Sequence, residues 1–289
     1  MGAYLIWGAL PLYLRPLLGI PALTILAHRL VWCCLLVLLL IAMRGEVGTV
    51  RAALVNPSTR RGLVGSAALI GFNWLVYIWA IGEGHVVDSS LGYFINPLVN
   101  VLLGVAFLGE RPNRVQWVAV ACAALGVGWL TAQAGRLPWI ALALAFSFGG
   151  YGLIRKVIAV DALAGLAAET ALLTPLGLAW LAWQAVRGAG VFGGADALRT
   201  AWLIASGLIT ATPLALFAYG ARRILYSTLG IVQYIAPSLQ LAFGVFVFGE
   251  AFPPSRAAGF GLIWMALAIY GADGLWRARR VRMARMPEP

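Results

Sequence analysis

Charged residues are scarce in this 289-residue chain: only 11% are Asp, Glu, Lys or Arg. Soluble domains carry about a quarter, so there is too little polar surface here to cover a water-exposed globule. Lysine is nearly absent, with Lys156 alone among 21 basic residues, and the net charge of +11 is not gathered on any polar face. A nucleic-acid partner is therefore not expected. There are two histidines, His28 and His85, without metal-ligand spacing, so no metal is called for. Three cysteines, Cys33, Cys34 and Cys122, show no paired spacing that would make a disulfide framework. No glycine loop fit to cradle phosphate is present, which disfavours ATP-driven work and any nucleotide cofactor. No nucleophile stands beside a base, so no catalytic residues are assigned and an enzyme is not expected. The chain turns apolar at once, with no basic n-region and no cleavage site, so a removable signal peptide is not expected. It begins inside its first apolar run.

What is present is apolar sequence: 62% hydrophobic residues and a mean hydropathy of +0.89. A membrane-spanning helix takes roughly 20 residues. Apolar runs fall near residues 2–18, 21–43, 61–82, 87–108, 115–133, 137–156, 162–185, 199–220, 226–249 and 257–276. The first is the weakest, being broken by Pro11 and Arg15. The reading is an all-α membrane protein of ten transmembrane helices. With both termini cytoplasmic, the inside segments hold 15 basic residues and the outside segments five, with Arg29 inside a span. That bias fits the positive-inside rule and sets a multi-pass orientation. The basic tail from Arg277 to Arg285 is read as an anchor to anionic lipid.

The chain also repeats itself. Pro97, Gly104 and Gly109-Glu110 recur as Pro237, Gly244 and Gly249-Glu250, all at an offset of 140. The unit 1–134 and the unit 135–289 then hold five spans each. An odd number of crossings obliges the second copy to enter from the opposite side, which gives inverted repeats, a design of secondary transporters.

Candidate cavity residues follow from polarity inside spans. Pro97 and Pro237 are read as mid-span kinks that free the carbonyls of Tyr93 and Gln233. Tyr93, Asn96 and Asn100 share one face with Pro97, and Gln233 and Gln240 share the matching face with Pro237. The same stripes also suit helix packing. His28, Arg29 and Glu169 carry titratable or charged groups inside spans, where a charge must face the bundle interior or water. Asn73 with Trp74, and Ser147 with Tyr151, join a hydrogen-bonding group to an aromatic wall, and Trp7 lies within the first run. Glu110 and Glu250 end their helices and are read as loop caps or bundle staples.

The string Ser90-Leu91-Gly92-Tyr93-Phe94-Ile95-Asn96-Pro97-Leu98-Val99-Asn100, followed by Gly109-Glu110-Arg111, closely resembles the RarD branch of the EamA family. So do His28-Arg29 with Trp32, Asn73-Trp74, Ser147 leading to Tyr151, and Gln233-Tyr234-Ile235 with Pro237. This resemblance covers nearly the whole chain and brings Tyr234 into the candidate set. It implies membership of the drug/metabolite transporter superfamily, with ten helices and a central cavity. The expected function is secondary transport of a small metabolite or drug-like solute by alternating access, without ATP or cofactor. A non-transporting membrane scaffold or sensor with a vestigial cavity is the alternative. The expected partners are the small-molecule substrate and membrane lipid.

Overall fold

The structure, a computed structural model, describes residues 1–192, 196–221 and 233–283. Among these residues there are helices and turns and no strands. The helices are α1 (Gly2–Gly8), α2 (Leu10–Leu14), α3 (Ala22–Met43), α4 (Val47–Val55), α5 (Pro57–Gly82), α6 (Val86–Leu108), α7 (Arg114–Ala134), α8 (Trp139–Val157), α9 (Ala162–Val186), α10 (Ala197–Ala221), α11 (Ile235–Phe246) and α12 (Pro254–Met283). Six of them, α3, α5, α7, α8, α9 and α12, are long and apolar enough to cross a bilayer, and α6 qualifies as two segments bent by 44° around Pro97.

Local chemistry explains where helices begin. The Asn56 side chain accepts from the Ser58 and Thr59 amides at 3.0 and 3.3 Å, and Pro57 opens α5 where no amide donor is needed. Asn113 and Gln116 form a reciprocal capping box at the start of α7. Asp161 caps α9 by accepting from the Leu163 amide at 3.1 Å. Two expectations from sequence change. The run 2–18 is not one helix but α1, α2 and a 3-10 turn over Arg15–Leu17, because Pro11 and Pro16 lack the amides a continuous helix requires. The segment 44–60, read as a loop, contains the short helix α4.

The ends of α6 and α11 are built alike. Gly109 and Gly249 both adopt left-handed backbone, with φ of +64° and +69°. The following amides, those of Glu110 and Glu250, reach back to the Gly104 and Gly244 carbonyls at 3.0 and 2.9 Å. In both, a left-handed glycine, which has no Cβ to clash, turns the chain so that the next amide bonds the carbonyl six residues back. Residues 226–232 of the run read as the ninth span, and Arg222 and Arg223 among the basic residues counted inside, lie outside the described residues.

Packing fixes helix direction. The end of α5, the starts of α6, α8 and α12, and the turn after α7 meet around one recess lined by Trp79, His85, Asp88, Arg136, Pro138 and Arg256. At the opposite end Lys156 of α8 pairs with Glu110 at 2.6 Å, and Asn113 donates to Asp273 of α12 at 2.6 Å. Successive helices from α5 to α8 therefore run antiparallel. α3 packs against α9 and α10, α5 against α8 and α9, α6 against α8 and α11, α1 against α10 and α11, and α7 against α12. Small residues allow the close approaches that hold helices together in lipid, where apolar burial gives no drive. A Cβ on Gly126 of α7 would come within 2.9 Å of the Gly259 carbonyl of α12.

Candidate solute-binding site

Two polar stripes face each other across the α5–α8 contact. On α5, Ser66, Asn73 and Tyr77 are spaced seven and four residues apart. On α8, Ser147, Tyr151 and Arg155 are each four apart, so each set lies on one face of its helix. Asn73 Nδ2 donates to Ser147 Oγ and to the Leu144 carbonyl, both at 3.0 Å, and its Oδ1 accepts from the Tyr93 hydroxyl at 3.3 Å. Asn73 is 1% exposed, and every polar atom of its amide is in use.

Further along the same stripes sits the carboxylate of Glu169 from α9, also 1% exposed. Ser66 Oγ donates to its Oε1 at 2.7 Å, the Tyr151 hydroxyl to its Oε2 at 3.4 Å, and Arg155 Nη1 stands 3.7 Å away. Arg155 is itself anchored to the Asp161 carbonyl at 3.1 Å. This is a buried ion pair with a supporting hydrogen-bond shell, the form in which charge is tolerated inside a bundle.

Arg29 of α3 is different. It is 6% exposed, its Cζ lies 4.6 Å from the centroid of the Trp74 ring, and its Nε has no hydrogen-bond partner among the described residues. Among the described residues, Cys33, Tyr13, Tyr93 and Tyr77 are the titratable groups that act on it, and no carboxylate is among them. The Tyr13 hydroxyl donates to the Trp202 carbonyl at 2.6 Å, whereas the buried Tyr77 hydroxyl finds no partner among the described residues. Cation–π attraction returns part of the cost of burying a guanidinium, about 0.5–2 kcal/mol. Insertion scales put that cost at roughly 2.5–3.5 kcal/mol at mid-span. His28, although adjacent in sequence, points about 100° away around the helix. Its ring stacks on Phe192 at 5.2 Å, and Trp32, one turn on, meets the same ring at 5.8 Å.

The remaining candidates are placed as follows. Gln240 is buried and its Nε2 donates to the Trp7 carbonyl at 3.0 Å. Trp7 lies in the last turn of α1, whose carbonyls have no intrahelical partner, so a helix-end carbonyl is satisfied here by a side chain from α11. Asn96 is buried with Oδ1 unpartnered among the described residues, and Asn100, one turn on, is exposed beside Gly149 of α8. Pro97 stands at the bend in α6. Pro237 lies in the first turn of α11, where a missing amide breaks no helical bond, and not mid-helix as its spacing suggested. Gln233 and Tyr234 form the turn before it, both half-buried. The structure thus brings Arg29, Asn73, Trp74, Tyr93 and Ser147 together, and Tyr151 with Glu169. It leaves Asn100 and Gln240 in unlike settings.

Sequence reasoning missed Ser66, Tyr13, Tyr77 and Arg155 as members of these clusters. The spacing of Ser66, Asn73 and Tyr77 along α5 was a signal that could have found two of them. Among the described residues, no three His, Cys, Asp or Glu side chains stand close enough to hold a metal ion. Glu250 caps α6: its carboxylate accepts from the Val86 amide, and from the Val87 amide at 3.0 Å. Burial pushes its carboxyl above the ordinary carboxylate range, against the pull of those two amides.

Residues 1–132 match the profile of the EamA-like transporter family. An uncharacterized transporter of Pseudomonas aeruginosa is 44% identical, over 99% of this chain and 95% of that protein. The protein RarD of Streptomyces exfoliatus is 47% identical over 97% of this chain and 89% of its own, and that of Escherichia coli 41% identical over 97% and 95%. One crystal structure superposes at a TM-score of 0.60, covering 96% of each chain at 20% identity, which is a likeness of fold.

Proposed function

Because this chain belongs to the EamA family, in its RarD branch, and is a multi-pass membrane transporter of the drug/metabolite superfamily, we propose that it is a secondary carrier. It moves a small solute by alternating access, without ATP, through ten spans arranged as two inverted halves in the bacterial inner membrane, with both termini cytoplasmic. The observation that carries this reading is the buried polar and aromatic cluster of Arg29, Asn73, Trp74 and Tyr93 inside helices long enough to span a bilayer. Polar groups at that depth are costly, and a solute site is the use that justifies them.

The helix contacts support the inverted halves. Exchanging α1 with α8, α3 with α9, α5 with α10, α6 with α11, and α7 with α12 turns the α1–α10, α1–α11 and α3–α10 contacts into the α8–α5, α8–α6 and α9–α5 contacts, all of them present. The paired caps at Gly109 and Gly249 agree with the same exchange.

The test is uptake of a broad panel of labelled metabolites and drug-like molecules into proteoliposomes without nucleotide, with and without an imposed proton gradient. The carrier reading expects at least one solute to move faster than in protein-free vesicles. It also expects Asn73→Leu to lose that uptake while staying folded. If no solute moves under either condition, the reading fails.

A further inference from the structure

We propose that the solute is a small organic carboxylate, held by its anionic end on Arg29 and by an apolar body among Trp74, Tyr13, Tyr77 and Tyr93; this rests on the carrier reading above. The first support is a charge inventory. Nine of the ten acidic residues are described, and each is placed elsewhere. Asp88, Glu110, Glu169, Asp196 and Asp273 pair with Arg256, Lys156, Arg155, Arg199 and Arg277. Asp161 and Glu250 cap α9 and α6, and Glu46 and Glu83 are exposed in turns. The tenth, Glu288, lies outside the described residues. Arg29 is therefore a buried cation without an internal counter-ion among the described residues, and an arginine does not shed its proton to escape that state.

The second support is the kind of hydrogen bond left over. Arg29 Nε can only donate, and the unpartnered Tyr77 hydroxyl has a proton to donate. Asn73 Oδ1 is taken by Tyr93. A buried cluster with spare donors and, among the described residues, no carboxylate on Arg29 fits an acceptor-rich anion. A cationic solute would meet an unneutralised guanidinium, and a neutral one would leave it uncompensated. A guanidinium seated on an aromatic face keeps its in-plane N–H edge free, and that edge matches the two oxygens of a carboxylate. The aromatic walls call for an apolar body behind that group.

The third support is a nearby opening. A recess at the α5–α6 turn end of the bundle is lined by Leu14, Ile25 and Ile78, among others, and Ile25 lies one helical turn before Arg29 on α3.

The test uses three molecules of one shape and different charge: benzoate, benzamide and benzylamine. Binding to the purified full-length protein is read as a thermal shift, beside the proteoliposome panel. Benzoate should stabilise, the other two should not, and Arg29→Gln should weaken benzoate binding at least about tenfold, the size of one lost charged hydrogen bond. Arg29→Lys, which keeps the charge and loses the fork, should bind with intermediate strength and guards against a glutamine variant that fails to fold. The proposal is overturned if benzamide or benzylamine stabilises as well as benzoate, or if folded Arg29→Gln binds benzoate unchanged. It is also overturned if the solutes that move in the panel are neutral or cationic, although the carrier reading then stands. If nothing in the panel moves, the carrier reading fails and this proposal falls with it.

Discussion

Replacing both members of the Arg155–Glu169 pair should cost less stability than replacing them one at a time predicts. Removing one partner of a buried ion pair typically costs about 3–5 kcal/mol, because the other charge is left uncompensated. Here the nearest N–O separation is 3.7 Å, beyond hydrogen-bond range, and the Arg155 side chain keeps 13% exposure. Both facts argue for the lower end. Glu169→Leu leaves Arg155 with the Asp161 carbonyl alone and should cost about 2–3 kcal/mol. Arg155→Leu leaves the carboxylate with its Ser66 and Tyr151 donors, so it should cost less, about 1–2 kcal/mol. At roughly 2 °C per kcal/mol for a chain of this size, the single variants lower Tm by about 4–6 °C and about 2–4 °C. The double variant should fall no lower than the worse single one, since an apolar pair leaves no stranded charge. The assay is thermal unfolding in detergent, followed by the fluorescence of the 12 tryptophans. If the two losses simply add, the residues do not interact and the reading of this cluster is refuted.

Three further outcomes are expected. Gly165→Ala should reproduce the Arg155→Leu loss and not add to it, because a methyl there would overlap the Arg155 guanidinium; Tm of the single and combined variants checks this. Gly109→Ala and Gly249→Ala should each cost about 1–2 kcal/mol, and equally, since both residues hold positive φ in matching caps; unequal losses in denaturant unfolding would break the equivalence of the two helix ends. Glu250 has a folded-state carboxyl raised above its ordinary 4.5, so the folded protein holds that proton more tightly than the unfolded chain. Its contribution to stability is therefore greatest at low pH and declines as pH rises through the raised value. Tm of Glu250→Gln should lack that decline when scanned upward from about pH 4.

The sequence made the long helices legible because a bilayer demands a continuous apolar run and this chain meets that demand plainly from Ala22 to Met43. It also exposed Arg29 and Glu169, since a charge inside such a run stands out. It could not show that their settings differ. Whether a buried charge has a partner depends on which helices meet, and the partner of Glu169 sits at a helix end, where arginine usually signals topology alone. Tyr13 and Tyr77 stayed hidden for a different reason: a tyrosine in an apolar segment looks the same whether its hydroxyl is used or spare. The proline logic was sound but misapplied. A proline inside a helix frees the carbonyl four residues back, and Pro97 stands inside α6. At Pro237 the helix begins too late for that rule to act.

Entrance counterflow in proteoliposomes tests the central claim most directly. Vesicles loaded with an unlabelled solute from the panel are diluted into a trace of the same solute labelled, with no nucleotide and no imposed ion gradient. A carrier that exposes one site to alternate sides predicts a transient accumulation of label above its outside concentration, lost in Asn73→Leu. Label that only equilibrates with the outside, or never enters, would contradict alternating access through this site.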